Sequence, residues 1–275
     1  MKIGFCTCVK LGLSCIEKVH SLNEKFDLFI TLEDHLAKKK SGRIYLDKIA
    51  QESNTPLLKT SHINNDEVIK AIKQHDIDWL FIIGWSQIAS ENVIASCKKG
   101  AIGAHPTLLP FGRGRAAIPW AIIKSLDKTG LTFFNMDKGV DTGDILEQIE
   151  IPISTNETAS TLYKKVNTAH TDLIVKIWPK IIANTLVGYK QDESQATYWE
   201  GRKPKDGEIK PQNMTIDQVD RLVRATTKPY PGAFILKDNK KVIIWEGIKD
   251  KEINGMKIIC KDGIFTATKI EILEI

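Results

Sequence analysis

The sequence predicts a doubly wound α/β domain with a mostly parallel sheet, followed by a small β-rich C-terminal subdomain. Over most of the 275 residues, short apolar runs alternate with segments of helical spacing, a pattern typical of β-α-β units. From residue 234 onward, four short β-rich runs follow one another without an intervening helix. We therefore expect one domain over residues 1–188, and a linker, a helix and a small β-rich domain over residues 189–275.

The first 105 residues contain five expected strands and three expected helices. The strands are expected at residues 2–7, 26–32, 56–58, 78–84 and 101–105, and the helices at residues 14–22, 44–52 and 65–74. Ser14 is the expected N-cap of the first helix. Gly12 is expected in a turn, because Gly4 and Gly12 do not form the G-x-G-x-x-G fingerprint of a dinucleotide-binding loop.

The second half of the chain is expected to add two strands to the main sheet and then to form the C-terminal region. Helices are expected at residues 116–126, 158–184 and 215–226, and strands at residues 129–136 and 144–153. Open α/β sheets bind their ligands at the carboxyl ends of their strands. The predicted strands also place His105 and Asp141 at adjacent strand ends. Trp85, in the loop after the most apolar strand, either stacks on a planar ligand or packs in the core.

Composition and charge exclude several classes of protein. With 42% hydrophobic and 27% charged residues, the chain has the composition of an ordinary globular protein. Its net charge of +5 is small, and residues 187–275 hold 16 Lys/Arg against 14 Asp/Glu, so no nucleic-acid partner is expected. The five cysteines show no paired C-x-x-C spacing, and their odd number argues against a disulfide framework. Without a signal peptide or a long apolar run, we expect a cytoplasmic protein with no membrane partner.

His105 is the main candidate for catalysis. It follows small residues, precedes a Pro-bounded turn, and is followed by Arg113 and Arg115 on a Gly-spaced loop. Asp141 lies 36 residues further on, in a turn rich in Gly and Asp. An imidazole that titrates near neutral pH, oriented by a carboxylate, is suited to general acid–base chemistry. By chemistry alone, Asp141 could instead stabilise its own turn, and the arginines could form surface ion pairs.

Two segments carry a resemblance to a known family. The first is H-P-T-L-L-P-F-G-R-G-R-A-A-I-P-W from His105, and the second is M-D-K-G-V-D-T-G-D-I-L from Met136. Together they closely resemble the formyltransferases that use N10-formyltetrahydrofolate. This superfamily includes methionyl-tRNA formyltransferase, glycinamide ribonucleotide formyltransferase and the nucleotide-sugar N-formyltransferases. The G-W-S-Q loop from Gly84 and the P-Y-P-G-A turn at residues 229–233 extend the resemblance over most of the chain.

The resemblance implies a role for each matching residue. His105 would act as a general base or polarise the formyl carbonyl, and Asp141 would orient His105 and help to relay protons. The implied contacts with the folate are Ile82, Gly84, Trp85, Gln87, Val140 and Asp141. The implied contacts with the formyl acceptor are Pro106, Thr107, Arg113 and Arg115. The folate would be a co-substrate, and no metal is implied.

One position departs from the family pattern. The usual motif is Asn-x-His, in which the Asn donates a hydrogen bond to the formyl oxygen, whereas this chain has Gly103-Ala104-His105. Losing such a donor typically costs about 3–4 kcal/mol of transition-state stabilisation. A backbone N–H or a water could replace the amide, charged His105 could suffice, or the enzyme could be slow. Asn135 on the neighbouring strand is a further candidate donor.

The resemblance favours a nucleotide-linked amino-deoxysugar as the acceptor. The C-terminal region is short and nearly balanced in charge, whereas the tRNA enzymes carry a longer basic domain to bind phosphates. The nucleotide is either dTDP or UDP, the product would enter surface polysaccharide biosynthesis, and a homodimer is expected. The alternatives are methionyl-tRNA formyltransferase, a formyltetrahydrofolate hydrolase, and a non-catalytic module that binds folate or nucleotide.

Overall fold

The computed structural model describes residues 1–37, 42–249 and 253–274. Its first elements are β1 (Ile3–Cys6), α1 (Lys10–His20), β2 (Leu28–Leu32), α2 (Asp34–Ala37), α3 (Asp47–Ser53), β3 (Leu57–Thr60), α4 (Asp66–Gln74), β4 (Trp79–Ile82), α5 (Glu91–Ser96) and β5 (Gly100–His105). There follow β6 (Arg113–Gly114), α6 (Ala117–Ile123), β7 (Lys128–Asn135), β8 (Ile145–Pro152), α7 (Ala159–Ile182), β9 (Tyr198–Trp199), α8 (Ile216–Thr226), β10 (Ala233–Lys237), β11 (Lys240–Lys249), β12 (Met256–Cys260) and β13 (Gly263–Glu274).

The main sheet has seven strands in the order β3-β2-β1-β4-β5-β7-β8. The pairings from β3 through β5 are parallel, and β7 pairs antiparallel with β5. The chain reverses direction across the sheet between β1 and β4. The loops that follow these two strands therefore lie where doubly wound folds bind ligands. The predicted fold class, a doubly wound and mostly parallel sheet, is confirmed.

The alternation of side chains along the strands gives the main sheet two different faces. On the first face, apolar residues of β1, β2 and β4 pack with Val68 and Ile72 of α4 and Val93 of α5. We call this the α4/α5 face. On the second face, aromatic rings pack edge to face, such as Phe5 with Phe26 at 5.0 Å and Phe26 with Trp178 of α7 at 5.1 Å between centroids. We call this the aromatic face.

The N-terminal helix differs from its prediction. Helix α1 begins at Lys10, so Gly12 lies inside the helix and Ser14 is not its cap. A Cβ at position 12 would lie 2.1 Å from Oγ1 of Thr7, so glycine allows the helix to pack closely against the loop after β1. The sequence pattern also missed the short helix α5.

The C-terminal strands form a second sheet, antiparallel and in the order β10-β11-β13-β12. Helix α8 begins with a capping box between Thr215 and Gln218. Its buried residues Val219 and Val223 belong to one apolar cluster with Phe265 of β13. The four predicted strands are confirmed, and they form an open sheet.

Contacts divide the chain into two compact units, neither of which is one continuous stretch. The first comprises Met1–Arg113, Gly130–Glu150 and Val166–Tyr198, and the second Gly114–Thr129, Ile151–Lys165 and Trp199–Ile275. The predicted boundary after residue 188 assumes two domains that are each continuous in sequence. The two compact units instead alternate along the chain. Among the helices that the structure describes, none has both the length and the apolar character needed to cross a bilayer.

Candidate active site

His105 and Asp141 lie side by side in the first unit. His105 ends β5, where only 6% of its surface is exposed, and its Nδ1 lies 3.3 Å from Oδ2 of Asp141. Its Nε2 lies 2.7 Å from the carbonyl oxygen of Gly112. The imidazole is therefore held at both ring nitrogens. The expectation that the two residues meet agrees with this geometry, although β7 runs antiparallel to β5, so the strand ends themselves are not adjacent.

The Gly112 carbonyl determines which ring nitrogen of His105 carries a hydrogen. A carbonyl oxygen can only accept a hydrogen bond, so Nε2 carries the hydrogen in this arrangement. Nδ1 faces a carboxylate, which stabilises positive charge on the ring. The Nε2–H of His105 can thus donate to a ligand carbonyl that takes the place of the Gly112 carbonyl. The Asp141 carboxylate, on the other side of the ring, stabilises positive charge on the imidazole.

The turn that carries Asp141 has a constrained backbone. Asp141 has a φ of +58°, a left-handed conformation that residues other than Gly, Asn and Asp seldom adopt. Gly143 has no room for a side chain, because a Cβ there would lie 1.6 Å from the carbonyl oxygen of Asn135. Within the turn, Oδ1 of Asp137 accepts hydrogen bonds from Gly139 N at 2.9 Å and Thr142 Oγ1 at 2.7 Å.

Arg113 is fully buried, and acceptors within the first unit use all of its donors. Gln191 Oε1 accepts from Nε and Nη2, both oxygens of Glu193 accept from Nη1 and Nη2, and the Tyr198 hydroxyl accepts from Nη1. A guanidinium has five N–H donors, so none remains for a phosphate group. The ion pair also lowers the pKa of Glu193. This geometry departs from the ligand contact that the resemblance implied for Arg113, whereas Arg115 is exposed.

Phe134 fills the space next to Gly103. A Cβ at position 103 would lie 2.7 Å from Cζ of Phe134, whose side chain is 4% exposed, and 3.1 Å from Cγ of Met136. An asparagine at this position would require the aromatic ring to move. The backbone N–H of Gly103 does not replace the amide either, since β5 is paired on both sides and its N–H groups lie in the plane of the sheet.

Asn135 lies on the wrong face of the sheet to act as the donor. The register pairs His105 with Thr132 and Ile102 with Asn135, so Asn135 and His105 point to opposite faces. The Asn135 amide oxygen instead lies beside Gly100, 3.0 Å from the position of a Cβ there. The suggestion that Asn135 supplies the missing hydrogen bond is therefore corrected by the strand register.

The loop after β4 is held by its own side chains. Gln87 Oε1 accepts from Ile63 N at 2.9 Å and from the Trp85 indole N–H at 3.2 Å, while its Nε2 donates to Ser61 O at 2.9 Å. Trp85 is half-buried against Cys8 and Leu32. Gln87 and Trp85 therefore shape this loop.

The other residues implied at the ligand sites differ in exposure. Gly84 is exposed with a φ of +67°, Val140 is 49% exposed, and Ile82 is buried. Pro106 is half-buried. Thr107 is 1% exposed, and its hydroxyl has no hydrogen-bond partner among the residues that the structure describes. Gly84 and Val140 are thus open to a ligand.

The sequence pattern missed a segment that holds the site together. Gln191 Nε2 donates to the carbonyl oxygens of Asp141 at 2.8 Å and Gly143 at 2.7 Å. Thr197 Oγ1 accepts from Gly112 N at 2.8 Å. These partners are 48 to 85 residues apart in the chain, and no spacing signal links them. In residues 1–37, 42–249 and 253–274, no group of three metal-ligating side chains occurs.

Comparison with known proteins identifies the family. Residues 21–177 match the model of the formyl transferase family, and residues 202–275 match that of the formyl transferase C-terminal domain. The chain is 33% identical over 240 residues to the bifunctional polymyxin resistance protein ArnA of Wigglesworthia glossinidia brevipalpis. The match covers 86% of this chain and 36% of that protein, so the chain spans about a third of the length of this curated relative.

Two solved structures share the fold over nearly their whole length. The methionyl-tRNA formyltransferase of Clostridium thermocellum has a TM-score of 0.68 and 19% identity, covering 100% of this chain and 99% of the other. The N-formyltransferase of Helicobacter canadensis, in complex with folinic acid and dTDP-3-aminofucose, has a TM-score of 0.66 and 19% identity, covering 97% and 98%. The predicted family and enzyme class are confirmed. The chain is a member of the formyl transferase family.

Proposed function

We propose that the protein transfers the formyl group of N10-formyltetrahydrofolate to the amino group of a nucleotide-linked amino-deoxysugar. The observation that carries this proposal is the His105–Asp141 pair, fixed at a strand end in a chain of the formyl transferase family. The pair combines an N–H donor with a carboxylate that stabilises a charged ring, which formyl transfer to an amine requires.

The proposed reaction uses the two side chains in different ways. The amine nitrogen attacks the formyl carbon, the bond from that carbon to N10 breaks, and a proton passes from the amine to N10. His105 donates its Nε2–H to the formyl oxygen while negative charge develops there. The Asp141 carboxylate orients the ring, stabilises positive charge on it and relays the proton. His105 thus takes the place of the amide donor for which Phe134 leaves no room.

The choice of a sugar acceptor has two supports. Among the similar structures, the Helicobacter canadensis N-formyltransferase holds a dTDP-linked amino sugar. The nearly balanced charge of residues 187–275 also provides little attraction for the phosphates of a tRNA. Fold likeness does not decide between the two acceptors, because the methionyl-tRNA formyltransferase matches the chain equally well.

The test is incubation with N10-formyltetrahydrofolate and a panel of dTDP- and UDP-linked amino sugars. Mass spectrometry should show that one sugar gains the mass of one CO, and that His105→Gln abolishes the gain. If methionyl-tRNA is formylated and no sugar is, the acceptor is the tRNA-bound methionine and not a sugar. Release of formate without an amine would indicate a hydrolase. Folate binding without transfer to any acceptor would indicate a binding module.

A further inference from the structure

We propose that Gln191 is a positioning residue that holds Asp141 in its working orientation toward His105, and that buried Arg113 holds Gln191. The reaction in which this matters is the proposed formyl transfer, but the geometry stands independently of the acceptor. No sequence motif or spacing predicted a positioning role for Gln191 or Arg113. Gln191 acts through Asp141, which faces His105 directly, and Arg113 acts through Gln191.

Gln191 uses both hydrogens of its amide on the turn that carries Asp141. Nε2 donates to Asp141 O at 2.8 Å and to Gly143 O at 2.7 Å, and the residue is only 9% exposed. The two carbonyls lie on either side of Thr142. One side chain therefore fixes the backbone at both ends of this short stretch.

The backbone of Asp141 needs such a restraint. A φ of +58° lies in the left-handed region, which is sparsely populated even though Asp adopts it more readily than most residues. The direction of the side chain depends on this backbone conformation. If the turn relaxed, the carboxylate would move away from Nδ1 of His105, which it now approaches to 3.3 Å.

Arg113 determines which way the amide of Gln191 points. Its Nε and Nη2 donate to Gln191 Oε1 at 3.1 and 2.7 Å. A flipped amide would place an NH2 group against the guanidinium and an oxygen against two carbonyls, and no hydrogen bond would remain. Because Arg113 is fully buried and paired with Glu193, the amide has one stable orientation.

The same segment also holds the other partner of His105. Residues 191–198, which we call the strap, contain Thr197, whose Oγ1 accepts from Gly112 N and whose carbonyl oxygen accepts from Arg113 N. Gly112 supplies the carbonyl that meets Nε2 of His105. The strap therefore anchors both groups that orient the imidazole ring.

The test replaces Gln191 by methionine, which keeps the length of the side chain and removes both donors together with the acceptor that Arg113 uses. We expect kcat for formyl transfer to fall about 10²-fold, with KM for both substrates nearly unchanged, because a displacement of about 1 Å at a reacting group costs this much. Gln191→Glu, which keeps its partnership with Arg113 but faces the two carbonyls with an acceptor, should lose a similar factor. Thr55→Val is the matched control, since it removes a buried hydrogen bond to Phe26 O in the same unit, away from the turn.

A second readout needs no substrate. The ¹⁵N signals of the His105 ring, assigned with His105→Gln, should move in Gln191→Met toward those of Asp141→Asn, and should stay at wild-type positions in Thr55→Val. Wild-type ring signals or wild-type kcat in Gln191→Met would overturn the proposal. If the wild-type protein transfers no formyl group, the proposed function fails, and the ring signals still decide the role of Gln191.

Discussion

Two buried histidines point to opposite faces of the main sheet, and their surroundings differ. His105 lies on the α4/α5 face, opposite Thr132 of β7, with a carboxylate and a carbonyl at its two nitrogens. His170 of α7 lies on the aromatic face, beside the ring of Phe133 at 6.0 Å, with Val166 O as the partner of its Nδ1 at 2.8 Å. Burial lowers the pKa of His170 to about 4.

The comparison separates burial from function. Exposure of 6% for His105 and 2% for His170 does not distinguish the two side chains. What distinguishes them is the carboxylate that faces His105 across 3.3 Å. A buried histidine among apolar groups stays neutral and serves packing, whereas one that faces a carboxylate can carry charge during a reaction.

The largest expected effect is on catalysis. Asp141→Asn should lower kcat by about 10²- to 10⁴-fold, the usual range for general acid–base groups, because the ring of His105 loses its stabilising charge. His170→Leu, the matched change at the other histidine, should leave kcat within a small factor of the wild-type value. Steady-state assays with the acceptor found by mass spectrometry provide the measurement. If Asp141→Asn and His170→Leu lower kcat by the same factor, the carboxylate beside His105 does not distinguish the catalytic histidine from the structural one.

The second effect is on stability against pH. The pKa of His170 is lowered to about 4 in the folded protein, whereas an unfolded histidine titrates near 6.5. Between these values the unfolded state binds more protons, so the free energy of unfolding falls as the pH falls from 6.5 to 4.

The loss should be about 3 kcal/mol, and urea unfolding at a series of pH values measures it. His170→Leu should flatten this part of the profile, since it removes the titrating group. A profile in His170→Leu that is as steep as in the wild-type protein would assign the dependence to other groups.

The smallest effect concerns Gly103, which lies on β5 two residues before His105. Gly103→Asn should lower the free energy of unfolding by about 1–3 kcal/mol, because the new side chain overlaps the ring of Phe134. The double variant Gly103→Asn, Phe134→Ala should be destabilised by less than the sum of the two single changes. Denaturant unfolding of the four proteins measures the coupling. Additive changes would mean that the ring does not occupy the space of the missing amide.

Much of the molecule was predictable from local pattern. Apolar runs and helical spacing located most elements of the main sheet, because each strand and helix is long enough to show its period. The approach of His105 to Asp141 was also expected, but not for the reason that predicted it. Because β7 runs antiparallel to β5, the turn after β7 begins beside Ile102 and not beside the end of β5. The sequence also showed that Gly103 stands where the family motif has an asparagine.

Tertiary structure alone decided the rest. The sequence could not show that Phe134 occupies the space beside Gly103, or that Asn135 points to the other face, because both depend on the register between β5 and β7. It also could not show that Arg113 is enclosed by Gln191, Glu193 and Tyr198, which come 78 to 85 residues later in the chain. Local periodicity determines which segments become strands and helices, whereas hydrogen-bond partners are determined only when distant segments pack together.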